Sequence, residues 1–221
     1  MKVSTIIPAA GLGKRFGEKK QFKKISGRSL LTYTIEPFLS SEMIDEIIVV
    51  VPKIDLELAQ VTLDSISGTK ILKLIHGGDK RQDSVRNGLS VVDESSELVC
   101  IHDGARPFIT TELIDQAILS CRKYDGVTLA LRASDTVKYS RGNIVEKTID
   151  RNNIWLAQTP QVFKKSLLLR AFKYAEVSGI EGSDECSIME KMGFKILLLN
   201  GSSKNLKITH PDDWSMAKGL F

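Results

Sequence analysis

The sequence has few cysteines, no long apolar run and no strong excess of either charge. Cys100, Cys121 and Cys186 lie far apart and form no C-x-x-C pair, which argues against a disulfide framework and against a zinc site. No apolar segment approaches the roughly 18–20 residues that a membrane helix requires. The apolar start of the chain is interrupted by Pro8 and is too short for a secretory signal. We therefore expect a reduced, cytoplasmic protein outside the membrane.

The charge balance argues against nucleic acid as a partner. The 31 Lys and Arg residues exceed the 27 Asp and Glu residues by only four, which gives little support for nucleic-acid binding. The positive charge is instead concentrated, because seven basic residues and one acid lie between Lys14 and Arg28. We predict small phosphorylated ligands near this segment. At 221 residues, 42% apolar and 26% charged, the whole chain is expected to form one globular domain, 1–221.

Strands and helices are predicted to alternate along the chain. Apolar runs rich in β-branched residues are typical of strands buried on both faces, and they recur at 3–7, 47–51, 71–75, 98–101, 127–131 and 194–199. Apolar residues three and four positions apart predict helices around 30–39, 54–61 and 110–121. We expect Ile54, Leu58 and Val61 to form the apolar face of the second helix, and Pro37 to kink or shorten the first. This alternation predicts an α/β fold with a mostly parallel sheet flanked by helices.

Residues 134–155 depart from the alternation. Two segments, 135–139 and 144–149, flank Ser140-Arg141-Gly142-Asn143, which is a hairpin turn signal. A two-stranded ribbon is marginally stable alone and must pack on something else. We predict a protruding β-hairpin arm that meets a second subunit. A hairpin folded back onto the chain's own sheet is the alternative.

The first predicted strand leads into a glycine-rich basic loop at 8–21. A dinucleotide fingerprint would require glycine where Phe16 stands, which argues against a dehydrogenase. A Walker loop would require glycine at Pro8 and serine or threonine at Arg15. The remaining interpretation is a backbone cradle for phosphate oxygens, with Arg15 and one of the following lysines directed at the same charge. A solvated basic loop is the alternative.

Three further groups follow predicted strands or close the chain, and ligands bind beyond the carboxyl ends of parallel strands. Gly77 and Gly78 permit close approach of a flat base, while Asp83 and Ser84 can cap the next helix. The alternative is an ordinary turn before a capped helix.

Asp103 follows the fourth predicted strand and is placed to hold Mg²⁺ together with substrate phosphates. Asp103 could also merely begin a turn with Gly104, and His102 is interpreted as a packed residue. Arg151 and Lys207 are candidate clamps for a second phosphate, or isolated surface cations.

Taken together, these motifs resemble the 2-C-methyl-D-erythritol 4-phosphate cytidylyltransferase family over essentially the whole chain. The matching segments are 8–15, 20–21, 77–79, 83–85, 102–107, 135–136, 150–152, 158–161 and 205–209. The resemblance implies a Rossmann-like nucleotidyltransferase fold and a homodimer whose β-arms embrace. It also implies transfer of CMP from CTP to 2-C-methyl-D-erythritol 4-phosphate, with release of pyrophosphate.

The resemblance also implies a role for each matching residue. Arg15 and Lys20 would stabilise the transition state, and Asp103 would hold Mg²⁺ or another divalent cation. The residues that would contact CTP are Pro8, Ala9, Ala10, Gly11, Gly13, Gly77, Asp79 and Ser84. Those that would position the sugar phosphate are Arg106, Thr136, Arg151 and Lys207, with Thr136 and Arg151 reaching in from the partner chain.

The sequence leaves three questions open. The family commonly has Pro-Lys-Gln where this chain has Lys19-Lys20-Gln21, and the preceding loop is short, so Lys19 is the alternative to Lys20. A ribitol-5-phosphate cytidylyltransferase has the same fold and chemistry, although the Ala9-Ala10 opening favours methylerythritol phosphate. A non-catalytic nucleotide-binding protein is the third possibility, and the presence of all the reactive charges argues against it.

Overall fold

The computed structural model describes residues 1–66 and 70–221. The strands are β1 (Lys2–Pro8), β2 (Lys24–Ile25), β3 (Arg28–Ser29), β4 (Glu46–Val51), β5 (Ile71–His76), β6 (Ser96–Ile101), β7 (Gly126–Arg132), β8 (Val137–Arg141), β9 (Ile144–Ile149), β10 (Trp155–Lys164) and β11 (Ile196–Asn200). The α-helices are α1 (Leu30–Ser40), α2 (Leu56–Asp64), α3 (Arg81–Leu89), α4 (Thr111–Cys121), α5 (Lys165–Val177), α6 (Glu185–Lys191) and α7 (Pro211–Ala217). Short 3-10 turns lie at Lys20–Phe22, Lys53–Asp55 and Arg151–Asn153.

Seven strands form one sheet in the order β11-β7-β10-β6-β1-β4-β5. Neighbouring strands run parallel except at β10, which is antiparallel to both β6 and β7. The central strands are almost wholly apolar because helices cover both faces, and β4 is buried at every position. The predicted α/β fold with a mostly parallel sheet is confirmed.

Two apolar cores lie on opposite faces of the sheet. One contains Leu31 and Phe38 of α1 together with residues of α2 and α4, and the other contains Val85 of α3 together with residues of α5 and α6. Gly88 brings α3 close to β1, since a Cβ at this position would lie 2.6 Å from Ile6 Cγ2. The helices thus fix the carboxyl ends of β1, β4 and β6 at one edge of the domain, where the predicted site residues follow.

Several predicted elements need correction. The helix at 54–61 begins at Leu56, and its expected apolar face is wrong: Ile54, Leu58 and Val61 are 80%, 49% and 69% exposed, because the helix packs through Ala59 and Leu63 instead. The strand expected at 194–199 begins at Ile196. Helix α1 is not cut short at its internal proline and continues to Ser40.

Strand β10 and helices α5 and α6 were not predicted at all. Proline within a run argues against a central strand, and Pro160 lies inside β10. The register of β10 against β7 shifts between Ala157 and Gln161, so Pro160 falls where the ladder is irregular. The motif at 158–161 is therefore part of a buried strand and not a loop.

A two-stranded ribbon forms within the predicted range 134–155, but its first strand runs to Arg141, so the turn is shorter than the predicted 140–143. Strands β8 and β9 make their own two-stranded sheet and, within the described residues, do not join the seven-stranded one. Most of its positions are exposed. The alternative of a hairpin folded back onto the chain's own sheet is therefore wrong. Among the helices of residues 1–66 and 70–221, none is sufficiently long and apolar to cross a membrane.

Candidate active site

The opening loop is a folded turn anchored at several points. Gly13 has φ +69°, and a Cβ there would overlap Glu18 O, so the loop closes on itself only because this residue is glycine. Gly13 O accepts hydrogen bonds from Phe16 N and Gly17 N, both at 2.8 Å. Phe16, the residue that excludes the dinucleotide fingerprint, is buried against Trp214 of α7 with ring centroids 6.1 Å apart.

Two adjoining cavities lie at the carboxyl edge of the parallel strands. The first, of about 200 Å³, is lined by the predicted residues Pro8, Ala9, Ala10, Gly11, Arg15, Lys20, Asp79, Ser84, Asp103 and Lys207. The second lies between the opening loop and residues 52–54, and it is lined by Gly13 and Gly77 together with the cations Lys14, Arg15, Lys20 and Lys53. The structure thus brings together the whole predicted CTP-binding set.

The floor of the first cavity is made by backbones in close contact. Gly104 N donates to Pro8 O at 3.1 Å, and a Cβ on Gly104 would lie 2.8 Å from Ala9 Cβ. A Cβ on Gly77 would overlap the Ala10 side chain. Gly77 and Gly104, which follow β5 and β6, therefore have no room for a side chain where they contact the residues that follow β1.

Helix α3 begins at Arg81, before the residues Asp83 and Ser84 that were expected to cap it. Its N-cap is Lys80, whose backbone N–H donates to Asp83 Oδ2 at 3.2 Å. Ser84 Oγ accepts from Gly78 N at 3.2 Å and donates to Lys80 O at 3.2 Å. Asp83 thus caps the helix as predicted, from the third helical position, whereas Ser84 braces the Gly77-Gly78 turn from inside the helix.

Asp103 is the electrostatic centre of the first cavity. Its Oδ1 accepts from Arg81 Nε at 3.0 Å, its Oδ2 lies 2.7 Å from Lys207 Nζ, and Arg106 Nε lies 3.8 Å from Oδ2. Burial alone would raise the pKa of Asp103, but Arg81 and Lys207 hold it well below its usual range. The carboxylate is therefore ionised across the physiological pH range.

Arg81 and Glu185 are site residues that sequence reasoning missed. Arg81 lines the first cavity, and its Nη1 donates to both oxygens of Glu185 at 2.7 and 3.0 Å. Glu185 is only 1% exposed, and burial raises its pKa. The position of Arg81 beside the glycines after β5 could have identified it as a site residue. Glu185 could not be found in this way, because it lies in a helix that was not predicted. Glu185 fixes the guanidinium group that faces Asp103.

The two adjacent lysines of the opening loop take different directions. Lys20 lines both cavities, whereas Lys19 Nζ lies 2.6 Å from Asp55 Oδ1. Burial lowers the pKa of Lys20, and the nearby Lys207 and Arg15 lower it further. Lys20 is thus one of five cations that line the first cavity, the others being Arg15, Lys80, Arg81 and Lys207.

Lys207 is held in place by a buried polar network behind the cavity. Arg106 Nη1 donates to Asn205 O at 2.7 Å, and Asn205 Nδ2 donates to Thr159 O at 2.8 Å. Arg106 is itself buried, so it lies behind Asp103 and does not line the cavity. This network joins the segment that carries Lys207 to the loop after β6.

His102 is a packed residue, as expected from the sequence. Its Nε2 donates to Arg106 O at 3.0 Å, and Nδ1 is hydrogen-bonded to Thr159 Oγ1 at 3.1 Å. Burial lowers its pKa to about 4. The imidazole is therefore neutral near pH 7.

Thr136 and Arg151 are not brought into the site. Thr136 is exposed just before β8, and Arg151 lies in the 3-10 turn after β9, where its Nη1 donates to Ser134 O. Both belong to the arm and lie outside the residues that line the two cavities.

A mostly parallel sheet with a glycine-rich backbone cradle and convergent cations at its carboxyl edge defines an α/β protein that binds a phosphorylated ligand. The family model for 2-C-methyl-D-erythritol 4-phosphate cytidylyltransferase matches residues 3–221. The chain belongs to this family.

Relatives agree over nearly the full length of the chain. The enzyme of this name from Caldanaerobacter subterraneus is 40% identical over 99% of this chain and 98% of its own. The one from Clostridium acetobutylicum is 42% identical over 98% and 96%. The solved structure of 4-diphosphocytidyl-2C-methyl-D-erythritol synthase from Anaerococcus prevotii superimposes with a TM-score of 0.89 at 32% identity, covering 99% of this chain and 95% of that one.

Proposed function

We propose that this protein transfers CMP from CTP to 2-C-methyl-D-erythritol 4-phosphate, giving 4-diphosphocytidyl-2-C-methyl-D-erythritol and pyrophosphate. A phosphate oxygen of the acceptor forms a bond to the α-phosphorus of CTP, and the bond from that phosphorus to the β-phosphate breaks. The observation that carries the proposal is the convergence of Arg15, Lys20 and Lys207 on one cavity that has a backbone floor. The family membership of the chain supports the choice of nucleotide and acceptor.

The absence of a base from the proposed catalytic set is consistent with this chemistry. The second pKa of a phosphate monoester is about 6, so the attacking oxygen is already ionised at neutral pH. His102, which directly precedes Asp103, is buried and neutral. Catalysis then consists of holding two polyanions in line and neutralising the charge that spreads over the α-phosphate and the leaving pyrophosphate. Arg15 and Lys20 supply that positive charge.

Asp103 is the residue that would hold a divalent cation. The donor set fits Mg²⁺, which takes one or two carboxylates and completes its shell with phosphate oxygens and water. The described residues contain no group of three or more His, Cys, Asp and Glu side chains that would hold an ion alone, so the nucleotide would supply the other ligands. Arg81 and Lys207 each contact one oxygen of Asp103, and each oxygen has a second lone pair with which it would bind the ion. The ion would neutralise part of the triphosphate charge.

The arm provides the second half of the proposal. Tyr139, Ile144 and Val145 are exposed on an isolated two-stranded ribbon, and such a ribbon gains stability by packing against another surface. We propose a homodimer in which Thr136 and Arg151 of each arm complete the acceptor pocket of the partner beside Lys207, while the buried Arg106 supports the segment of Lys207 through Asn205. The chain acts as one domain, and its three free, buried cysteines are consistent with a cytoplasmic protein.

A pyrophosphate-release assay tests this function. The protein is incubated with CTP, Mg²⁺ and either 2-C-methyl-D-erythritol 4-phosphate or ribitol 5-phosphate, and we expect rapid turnover with the first acceptor only. Equal or faster turnover with ribitol 5-phosphate would reassign the substrate. CTP binding without turnover on either acceptor would identify a non-catalytic nucleotide-binding protein. Sedimentation should give twice the 24.5 kDa chain mass, and a monomer would contradict the arm-mediated dimer.

A further inference from the structure

Lys19 and Lys20 are adjacent, but only one of them faces the cavities. Lys20 lines both cavities, while Lys19 Nζ lies 2.6 Å from Asp55 Oδ1. Asp55 is 36 positions away in sequence, at the end of the 3-10 turn that precedes α2. The end of the opening loop is thus tied to the segment that follows β4.

Asp55 is a nearly buried carboxylate that requires Lys19 as its counter-ion. Its side chain is 7% exposed, and in the described part of the chain its Oδ2 is buried without a hydrogen-bond partner. A buried carboxylate that loses its counter-ion is strongly unfavourable. Lys19 is therefore held against Asp55 more firmly than a lysine in an exposed surface pair would be.

The other contacts of the opening loop do not hold its far end against the segment that follows β4. Ala9 N donates to Val50 O of β4 at 2.7 Å, but at the start of the loop. The closure at Gly13 and the ion pair of Lys23 with Glu18 join the loop to itself and to the residues that follow it. Phe16 joins it to α7. The Lys19–Asp55 pair crosses instead to the other wall of the second cavity, which is built from residues 52–54. It therefore fixes how far apart the two walls of that cavity stand.

The position of Lys20 also depends on the Lys19–Asp55 pair. Its backbone N–H donates to Glu18 O at 2.9 Å, and it begins the 3-10 turn Lys20–Phe22. Lys20 shares its cavity with Arg15 and Lys207, whose charges repel it, so its side chain needs backbone support to stay there. With the Lys19 side chain committed to Asp55, the next side chain leaves the backbone toward the cavity.

We propose that Lys19 is a positioning residue whose ion pair with Asp55 fixes the end of the opening loop and directs Lys20 at the phosphate groups of the nucleotide. This inference rests on the proposed function, because it concerns the placement of the proposed catalytic lysine. It assigns no contact with substrate to Lys19 itself.

A double-mutant cycle tests the pair. Lys19→Met and Asp55→Asn should each lower kcat on the order of tenfold, with a smaller change in the KM for CTP. The reason is that a displaced Lys20 ammonium group weakens binding of the transition state more than binding of the ground state. The double variant should be no slower than either single variant, since the pair is already broken. Lys19→Arg should retain most of the activity.

Three outcomes would overturn the inference. If Asp55→Asn keeps wild-type kcat while Lys19→Met does not, Lys19 acts on substrate directly. If both variants melt at lower temperature with kcat unchanged, the pair is only structural. Additive losses in the double variant would show that the two residues act independently. Should Asp55→Asn not fold, Lys19→Met is compared with Lys19→Arg at equal melting temperature, and equal kcat in the two would refute the pairing.

Lys2→Met is the matched control. It breaks the Lys2–Asp93 pair, which has a similar N–O distance of 2.7 Å but lies at the start of β1, at the far end from the cavities. Its kcat should equal that of the wild type. Failure of the proposed function is distinguishable from failure of this inference, because the wild-type protein would then give no turnover at all.

Discussion

Replacing Lys20 by alanine should lower kcat on the order of 10²–10³-fold while CTP binding changes little. Lys20 is partly buried beside the backbone cradle, so its charge is only partly screened by water. A cation about 4 Å from a phosphate oxygen contributes about 4 kcal/mol at an effective dielectric constant of about 20. Each 1.4 kcal/mol or so corresponds to a tenfold change in rate, which sets the upper limit near 10³. Arg15 and Lys207 remain in the same cavity and share the charge, which brings the lower limit to about 10².

The assay measures pyrophosphate release at saturating substrates, together with calorimetric titration of CTP into each variant. Lys24→Ala is the matched control, because it removes an equally basic but exposed residue from β2, outside the residues that line the cavities. We expect Lys24→Ala to retain wild-type kcat. A near-normal kcat in Lys20→Ala would refute the assignment of Lys20 as a catalytic residue. A large loss of CTP affinity with unchanged kcat would show that its charge acts in the ground state and not in the transition state.

Three further predictions concern other parts of the site. Arg151→Ala should raise the KM for the acceptor on the order of tenfold more than that for CTP; steady-state kinetics that show equal effects would contradict a separate acceptor pocket. Because burial lowers the pKa of Lys20 and its charged form is the active one, kcat should fall as pH rises through that lowered pKa, and Lys20→Arg should move the fall to higher pH. Gly13→Ala, which places a Cβ against Glu18 O, should cost about 1–3 kcal/mol of unfolding free energy beyond the cost of Gly17→Ala, where φ is also positive but space is open; equal denaturation midpoints would refute the clash.

The parts of the fold that the sequence predicts well are those with local causes. Strands such as β4 are continuous apolar runs because both faces are covered, and the pattern needs no knowledge of the neighbours. The cap of α4 is equally local, since Thr110 Oγ1 accepts from Leu113 N at 3.4 Å. The cavity residues after β1, β5 and β6 could be grouped for a topological reason, because parallel strands bring their carboxyl ends to one edge.

The elements that were missed depend on distant partners. Strand β10 contains Pro160, and only its pairing with β6 and β7 makes a central strand there. The buried face of α2 could not be read from its apolar residues, because Leu58 and Val61 stay exposed while Ala59, a small residue with little hydrophobic signal, packs on the core. Arg81 and Glu185 are 104 positions apart, and no local pattern connects them.

A sequence motif alone does not distinguish Lys19 from Lys20. The two side chains are chemically identical and adjacent, and neither charge nor spacing says which of them faces the phosphates. What separates them is a carboxylate 36 positions away, buried at the entrance to α2 and without any other described partner. Because a buried charge must be paired, Asp55 takes one lysine out of the cavity and leaves the other in it. Which of the two lysines lines the cavities is therefore a tertiary property, decided by a residue that no phosphate-binding motif contains.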